Sequence, residues 1–468
     1  MIKQNILFSI LVFMSLLFLN GCSDSGDSPV DPIDPEVPEV PDVPEDNSKD
    51  TYYPESLWNV QQGNDYQNSA SQFNVYRMKE TPNLVAFWEA GFGNSPSTVA
   101  DSKYRFQLDD LMEESEKIYK FYRDTLKFVE KGNSLTDKYR MNFYVYYSDE
   151  GTVCGGGADN KIGAMWLTPG RIQTKPYGAM AHEMGHAFQY MVACDGSWGY
   201  STTPSGSNIQ SIFEMTSQYM LFQFYPDWMD FEAYHVDNYL LNTHKTFLHE
   251  DIMYDNPFVL EYWSGKHGKD FVGKLWNEAV KGEDPVITYK RITGIDQASF
   301  NDEMADAAMK FITWDMDRIR DQAKDFANKH TSELKLIGNG WYRITNNRCP
   351  QNYGYNGIRL QVPAAGTEVT LNFRGLPGAD GYHAVNVEKA GWRYALLAET
   401  TAGKRTYGEI HSESTGEIKF VVPDQTAYLW LVVTGAPTEH WEHICDNNAD
   451  NDEQWPYEIK ITNTELYQ

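Results

Sequence analysis

"AHEMGHAFQYM", residues 181–191, sets His182 and His186 four positions apart and puts Glu183 directly after the first of them. On an α-helix positions i and i+4 lie on one face, so both imidazoles can turn a nitrogen towards one small ion. Zinc favours such nitrogen donors in a tetrahedral shell, and a catalytic zinc takes three protein ligands while keeping one position open. Glu183 is not placed to be a third ligand from the same helix. It is placed to meet a water activated by the metal, take its proton and pass that proton to a leaving amine. The apolar run "IQSIFEMTSQYMLFQFY", residues 209–225, reads as the next helix and offers Glu214 as the third ligand. The competing reading is a core helix whose two histidines are simply hydrogen-bonded.

Around this pair the chain changes period. "FNVYRM" (73–78), "LVAFWEAGFG" (84–93), "YRMNFYVYYS" (139–148) and "IGAMWLTP" (162–169) read as strands, rich in β-branched and aromatic residues. A helix is expected over about 104–129, where Leu108, Leu111, Met112, Ile118, Phe121 and Leu126 recur at helical spacing. Gly155-Gly156-Gly157 lacks the Lys-Ser/Thr of a P-loop and reads as a mobile loop. The motif helix should start near 174–176 and close at Asp195-Gly196. Further helices are expected from 229 to about 325. Beyond 331 the period becomes two, in Ile358, Leu360 and Val362 and again in Val369, Leu371 and Phe373. "RYALLAE", "EIKFVVP", "AYLWLVV" and "YEIKIT" continue the series, which predicts an antiparallel β-sandwich.

The start of the chain carries a different message. "MIKQNILFSILVFMSLLFLNGC" joins a basic start to an apolar run and small residues before Cys22, the pattern of an export signal. Leu19-Asn20-Gly21-Cys22 resembles the bacterial lipobox, which implies lipidation of Cys22 and cleavage just before it. The following segment, to residue 50, is built from Pro, Asp, Glu and Val and should be a stiff, solvated tether. Outward display at the bacterial outer membrane is the expected localisation, with the lipid as the sole membrane contact. A net charge of -27 excludes a nucleic-acid partner, because phosphate binding needs basic surface.

Four cysteines remain: Cys154, Cys194, Cys349 and Cys445. Their spacing does not suit a zinc knuckle. In an exported protein, pairing within each half would join Cys154 to Cys194 and Cys349 to Cys445, although four cysteines allow three connectivities. Asp446, Asn448, Asp450 and Asp452 alternate like the oxygen ligands of a calcium loop. The loop glycine is missing and Tyr457 stands where an EF-hand has its closing Glu, so a solvated acidic loop competes with Ca2+ binding. Trp341, Trp392, Trp430, Trp441 and Trp455 could stack on sugars or simply fill a core.

"HEMGH" with Glu214 on the following helix resembles the glutamate-type zincin metallopeptidases, and the loose enhancin-like, mucin-directed pattern of HExxH with a distant Glu accommodates the same spacing. "LWLVVTGAPTEHW" and "DNDEQWPYEI" resemble a family of exported bacterial lipoproteins with a zincin-like domain. The resemblance implies an α+β fold: a zincin-like catalytic domain over 51–330, with a small mixed sheet, an active-site helix and a helical subdomain, then a β-sandwich over 331–468. A signal peptide (1–21) and the tether (22–50) precede them. It implies zinc on His182, His186 and Glu214, and "IGAMWLTP" as the edge strand that binds an extended peptide. Thermolysin-like relatives orient a ligand histidine with an acidic residue four positions after the glutamate, where this chain has Gln218. Tyr219, His235, Tyr239 and His244 are candidates for stabilising a substrate oxyanion. The expected function is that of a monomeric, surface-anchored zinc endopeptidase acting on proteins or glycoproteins. The alternatives are a non-catalytic glycan- or protein-binding lipoprotein and a zinc hydrolase of a non-peptide bond.

Overall fold

The computed structural model describes residues 48–57, 64–201 and 211–467. The signal segment, Cys22 and the tether up to residue 47 lie outside the described residues. Among the described residues, no helix is long and apolar enough to cross a membrane.

The fold is α+β and rich in antiparallel sheet. Strands β1 (Met78–Glu80), β2 (Leu84–Trp88), β3 (Met141–Val145), β4 (Cys154–Ala158) and β5 (Ile162–Leu167) form one sheet in the order β1-β2-β3-β5-β4. β2, β3 and β5 run parallel, while β1 and β4 are antiparallel edges. Leu84 and Ala86 of β2 enter one core and Val85 and Phe87 another, so a strand buried on both faces reads as a continuous apolar run. "FNVYRM" is mostly turn, because the Asn74 amide donates to the carbonyls of Ser69 and Ser71, and only Met78 joins a strand.

The glycine run is a strand. Gly155 and Gly157 lie in β4 because β4 rests on the motif helix: a Cβ at Gly155 would stand 2.0 Å from the Glu183 carbonyl oxygen, and one at Gly157 2.0 Å from the Tyr190 ring. β4, not "IGAMWLTP", is therefore the edge strand beside that helix, and β5 is interior.

Helix α1 (Leu108–Lys120) widens into a π turn at Phe121–Thr125, short of the expected end. α2 (Gly178–Cys194) carries the motif and α3 (Ser211–Phe224) carries Glu214. They pack closely at Gly185, where a Cβ would stand 2.8 Å from Ser217 Oγ and 3.1 Å from Ser217 Cα. α4 (Trp228–Phe231), α5 (Ala233–Leu241), α6 (Phe258–His267), α7 (Phe271–Glu278), α8 (Pro285–Thr293) and α9 (Gln297–Thr313) complete the helical part.

The remaining strands are β6 (Leu334–Gly338), β7 (Trp341–Ile344), β8 (Tyr355–Leu360), β9 (Glu368–Gly375), β10 (Trp392–Thr400), β11 (Arg405–Tyr407), β12 (Thr415–Val421), β13 (Thr426–Gly435) and β14 (Tyr457–Thr462). They build two antiparallel sheets, β11-β10-β13-β8 and β12-β9-β14-β7-β6. Leu360, Leu396 and Leu431 of the first share a core with Leu371, Phe373 and Ile459 of the second, and Phe373 stacks on Tyr394 with centroids 4.1 Å apart. The other face of the first sheet sends Ala395, Leu397, Trp430 and Val432 into the core that holds Ala308, Phe311 and Ile312 of α9. One core thus crosses the boundary expected at residue 331.

The structure chooses among several readings that the sequence leaves open. Trp392, Trp430 and Trp455 are fully buried core, Trp441 packs on Trp455, and the Arg374 guanidinium covers Trp341 at 4.1 Å. All four cysteines are free thiols. Cys349 sits in the core between the two sheets, whereas Cys445 lies 3.3 Å from Ser211 Oγ at the start of α3; Cys154 begins β4 and is buried, and Cys194 ends α2. The acidic loop is divided in its tasks: Asp446 and Asn448 accept backbone N–H groups within a turn, and Asp452 points to His249 at 3.2 Å. These side chains do not converge as a calcium loop would require.

Candidate metal centre

The elements bring three donor atoms to one point. His182 Nε2 lies 3.0 Å from Glu214 Oε2, His186 Nε2 lies 3.1 Å from the same oxygen, and the two Nε2 atoms are 3.1 Å apart. Ligands about 2.0–2.1 Å from a tetrahedral zinc stand roughly 3.3 Å from one another, so the triangle matches that shell with a slight contraction.

The surrounding hydrogen bonds fix which atoms face inwards. Gln218 Nε2 donates to the Tyr254 carbonyl at 3.0 Å, and Gln189 Nε2 donates to the Phe213 carbonyl at 2.9 Å. A backbone carbonyl can only accept, so each amide oxygen must face the other way. There Gln218 Oε1 accepts from His182 Nδ1 at 3.1 Å and Gln189 Oε1 accepts from His186 Nδ1 at 3.0 Å. With the proton held on Nδ1, each neutral ring presents a bare Nε2 lone pair to the Glu214 carboxylate. A cation between them, whether a proton on one Nε2 or a metal ion, relieves the repulsion of the facing lone pairs, and this donor set fits zinc.

The orienting chain runs deeper than Gln218. Its amide nitrogen also meets His235 Nε2 at 3.1 Å, and His235 Nδ1 donates to Asp255, which also accepts from Asn238. His235 therefore stands behind His182 and does not face the centre. Tyr219 and Tyr239 are buried, the latter against Tyr355 at 3.3 Å, and His244 is half-buried with its pKa pushed down to about 3 by desolvation and then by Arg348 and Lys245. None of the expected oxyanion partners faces the centre.

Tyr254 does. It is 40% exposed, its ring stacks on His182 with centroids 6.0 Å apart, and its hydroxyl lies close to Glu214. Burial and then the Glu214 and Glu183 carboxylates push its pKa up, which keeps it a donor. It lies in a short turn between α5 and α6 with no helical period, so the sequence carried no signal for it.

Electrostatics tie the group together. Burial pushes the Glu183 pKa up, opposed by His182 and His186 and by the nearby Gly155 N–H. Burial works against Glu214 as well, but the two imidazoles outweigh it and hold the carboxyl well below its usual range. Burial would lower His186, yet Glu214 prevails and raises it to about 9. Donor atoms of His182, Glu183 and His186 all fall within 4.8 Å of one another, which leaves Glu183 beside the triangle.

A β-rich α+β chain with a buried His-His-Glu donor site is the class that fold and site define. The chain belongs to DUF6055, a family of unknown function, over residues 44–468. No curated protein matches it. Among solved structures it is similar to a Yersinia pseudotuberculosis-derived mitogen, at 10% identity over 28% of this chain and 86% of that one, with a TM-score of 0.17. It is also similar to the C-terminal family 22 carbohydrate binding module of Clostridium thermocellum Xyn10B, at 9% identity over 29% of this chain and 79% of that one, TM-score 0.17. A glycosylation associate protein complex from Streptococcus agalactiae matches at 9% identity over 28% of this chain and 38% of that one, TM-score 0.16. Likenesses this slight bear on neither the site nor its chemistry.

Proposed function

We propose that this chain is a zinc-dependent endopeptidase of the zincin type, held at the bacterial cell surface by a lipid on Cys22 and acting as a monomer on proteins or glycoproteins. The observation that carries the reading is the convergence of His182 Nε2, His186 Nε2 and Glu214 Oε2 within 3.1 Å, with both Nδ1 atoms pinned outwards. Zinc held there would supply a Lewis acid that makes water nucleophilic near neutral pH.

The chain's own residues do the rest. Glu183, outside the ligand triangle, takes the proton from the attacking water and returns it to the leaving amine. Its burial raises its proton affinity towards what that exchange needs. The Tyr254 hydroxyl donates to the oxyanion that develops on the attacked carbonyl. An extended substrate pairs its backbone with the outer edge of β4, whose glycines present backbone without side chains directly above Glu183.

The test is zinc content and peptide turnover measured together on four variants. Ala at His182, His186 or Glu214 should strip the metal, since two ligands leave the shell incomplete. Glu183→Gln should retain zinc and lose at least about a hundredfold in turnover. Full activity in Glu183→Gln would remove the mechanism. A peptide library that stays intact while an ester or amidosugar substrate is turned over would move the enzyme to another hydrolase class.

A further inference from the structure

The loop after β13 carries a second constellation of metal-binding side chains, remote in sequence from the first. Glu250, His443 and Cys445 bring one donor atom each within 4.8 Å of one another, and His443 forms a second such group with His249 and Asp452. We propose that Glu250, His443 and Cys445 form a structural zinc site that fastens this loop to the helical part, with Asp452, which has a donor atom within 4.8 Å of one on His443, as the fourth donor.

Four observations lead there. His443 Nε2 and Glu250 Oε2 face each other at 2.8 Å, the same close approach seen between the ligands of the first centre. Glu250 Oε1 is already occupied by the Asn447 N–H at 2.8 Å, which holds the other oxygen towards His443. His249 acts one step out: its Nδ1 accepts the Asp251 N–H at 3.0 Å, so its proton is on Nε2 and is donated to Asp452 at 3.2 Å. A histidine that orients a carboxylate in this way is the usual outer partner of a metal ligand.

The last observation is the loop's inverted polarity. Ile444 is 52% exposed, while its neighbours His443 and Cys445 turn inwards. Hydrophobic burial alone would seat the isoleucine and expose the histidine. A His443–Glu250 ion pair accounts for two of the inward groups, the Cys445 thiol meets the Leu248 carbonyl at 3.8 Å and Asp452 accepts from His249, so it is the grouping of thiol, imidazole and carboxylate within 4.8 Å that points to a metal. Thiolate, imidazole and carboxylate donors suit zinc, and Asp452 as a fourth ligand would leave the site no open position. On binding, Cys445 gives up its thiol proton to solvent and the sulfur lone pair takes the metal. Cys445 Sγ also lies 3.3 Å from Ser211 Oγ, so the site would anchor the start of α3, the helix that presents Glu214.

Cobalt(II) replacement in the full chain tests this. The site predicts a thiolate-to-cobalt charge-transfer band in the near ultraviolet, which the His-His-Glu centre has no sulfur to produce. The band should persist in Glu214→Ala, vanish in Cys445→Ser and persist in Cys349→Ser. Zinc content should fall by one equivalent in Cys445→Ser and by a different equivalent in Glu214→Ala. Should Cys445→Ser fail to fold, alkylation of native wild type gives the same answer: Cys445 should be protected with zinc and labelled after chelation. Absence of the band in cobalt-loaded wild type, or its survival in Cys445→Ser, would overturn the proposal. Loss of the peptidase reading would leave one equivalent of zinc that Glu214→Ala does not change.

Discussion

On the proposed mechanism, Tyr254 is the residue outside the candidate ligands on which turnover depends. Its hydroxyl lies close to Glu214 and its ring lies over His182, yet it is not one of the three donors of the triangle. Tyr254→Phe should therefore leave zinc content unchanged and lower kcat by about a hundredfold with little change in KM, the signature of a donor used in the transition state. An equal loss in KM alone would assign the ring to substrate binding. Gly155 has the opposite character, since any side chain there strikes the Glu183 backbone 2.0 Å away. Gly155→Ala should force β4 away from α2 and depress both thermal midpoint and turnover, with zinc retained.

Between residue and fold, the relay Asp255–His235–Gln218–His182 links the turn after α5 to α3 and α2. His235→Ala removes a partner of Gln218 without touching a ligand, so zinc affinity should fall about 10- to 100-fold in competition with a chelator, while the folded state persists. Unchanged affinity would show that the Tyr254 carbonyl alone fixes the amide. The packing of α6 on α3 depends on a second polar group. Arg318 donates to both oxygens of buried Glu261 at 2.9 and 2.7 Å and to the Phe222 carbonyl at 3.0 Å. Glu261→Leu leaves the guanidinium without its counter-charge and should cost about 3 kcal/mol in urea unfolding.

At the scale of the whole molecule, the shared core predicts cooperativity. Trp430 and Leu397 of the sheets and Phe311 and Ile312 of α9 lie in one cluster, and Trp430 Nε1 donates to Asn328 at 2.8 Å. Calorimetry should record one transition, not two, and residues 331–468 expressed alone should aggregate through the face that α9 covers. His330 lies at this junction, bonded to Tyr355 at 2.7 Å, and burial pushes its pKa down to about 3. Its folded pKa is below the unfolded value of about 6.5, so the unfolded chain takes up the proton first as pH falls. Its contribution is complete above about pH 6.5 and declines as pH falls towards 3. His330→Gln should flatten the fall in thermal midpoint between about pH 6.5 and 4 relative to wild type; parallel curves would remove the assignment.

The sequence by itself determined whatever is written in local period and spacing. His182, Glu183 and His186 are fixed to one another by the helical repeat, and Glu214 lies on the next apolar helix, so these four were legible from the chain. The alternation in β8 and β9 likewise announced sheet with two unlike faces. "RYALLAE" and "AYLWLVV" carried a further signal, since unbroken apolar runs mean strands buried on both sides, here by the second sheet and by α9. Tertiary structure decided the rest. Gly155 and Gly157 resemble a loop until α2 is laid across them, because what excludes a side chain there is a helix about 30 residues away. His235, Tyr254 and Asp255 have no motif of their own; they meet the centre only because α5 and the turn after it fold back over α2 and α3, whereas Gln189 reaches His186 within α2 itself. The cysteines follow the same rule: pairing is a matter of distance in space, and the fold carries Cys349 into a core and Cys445 to the foot of α3.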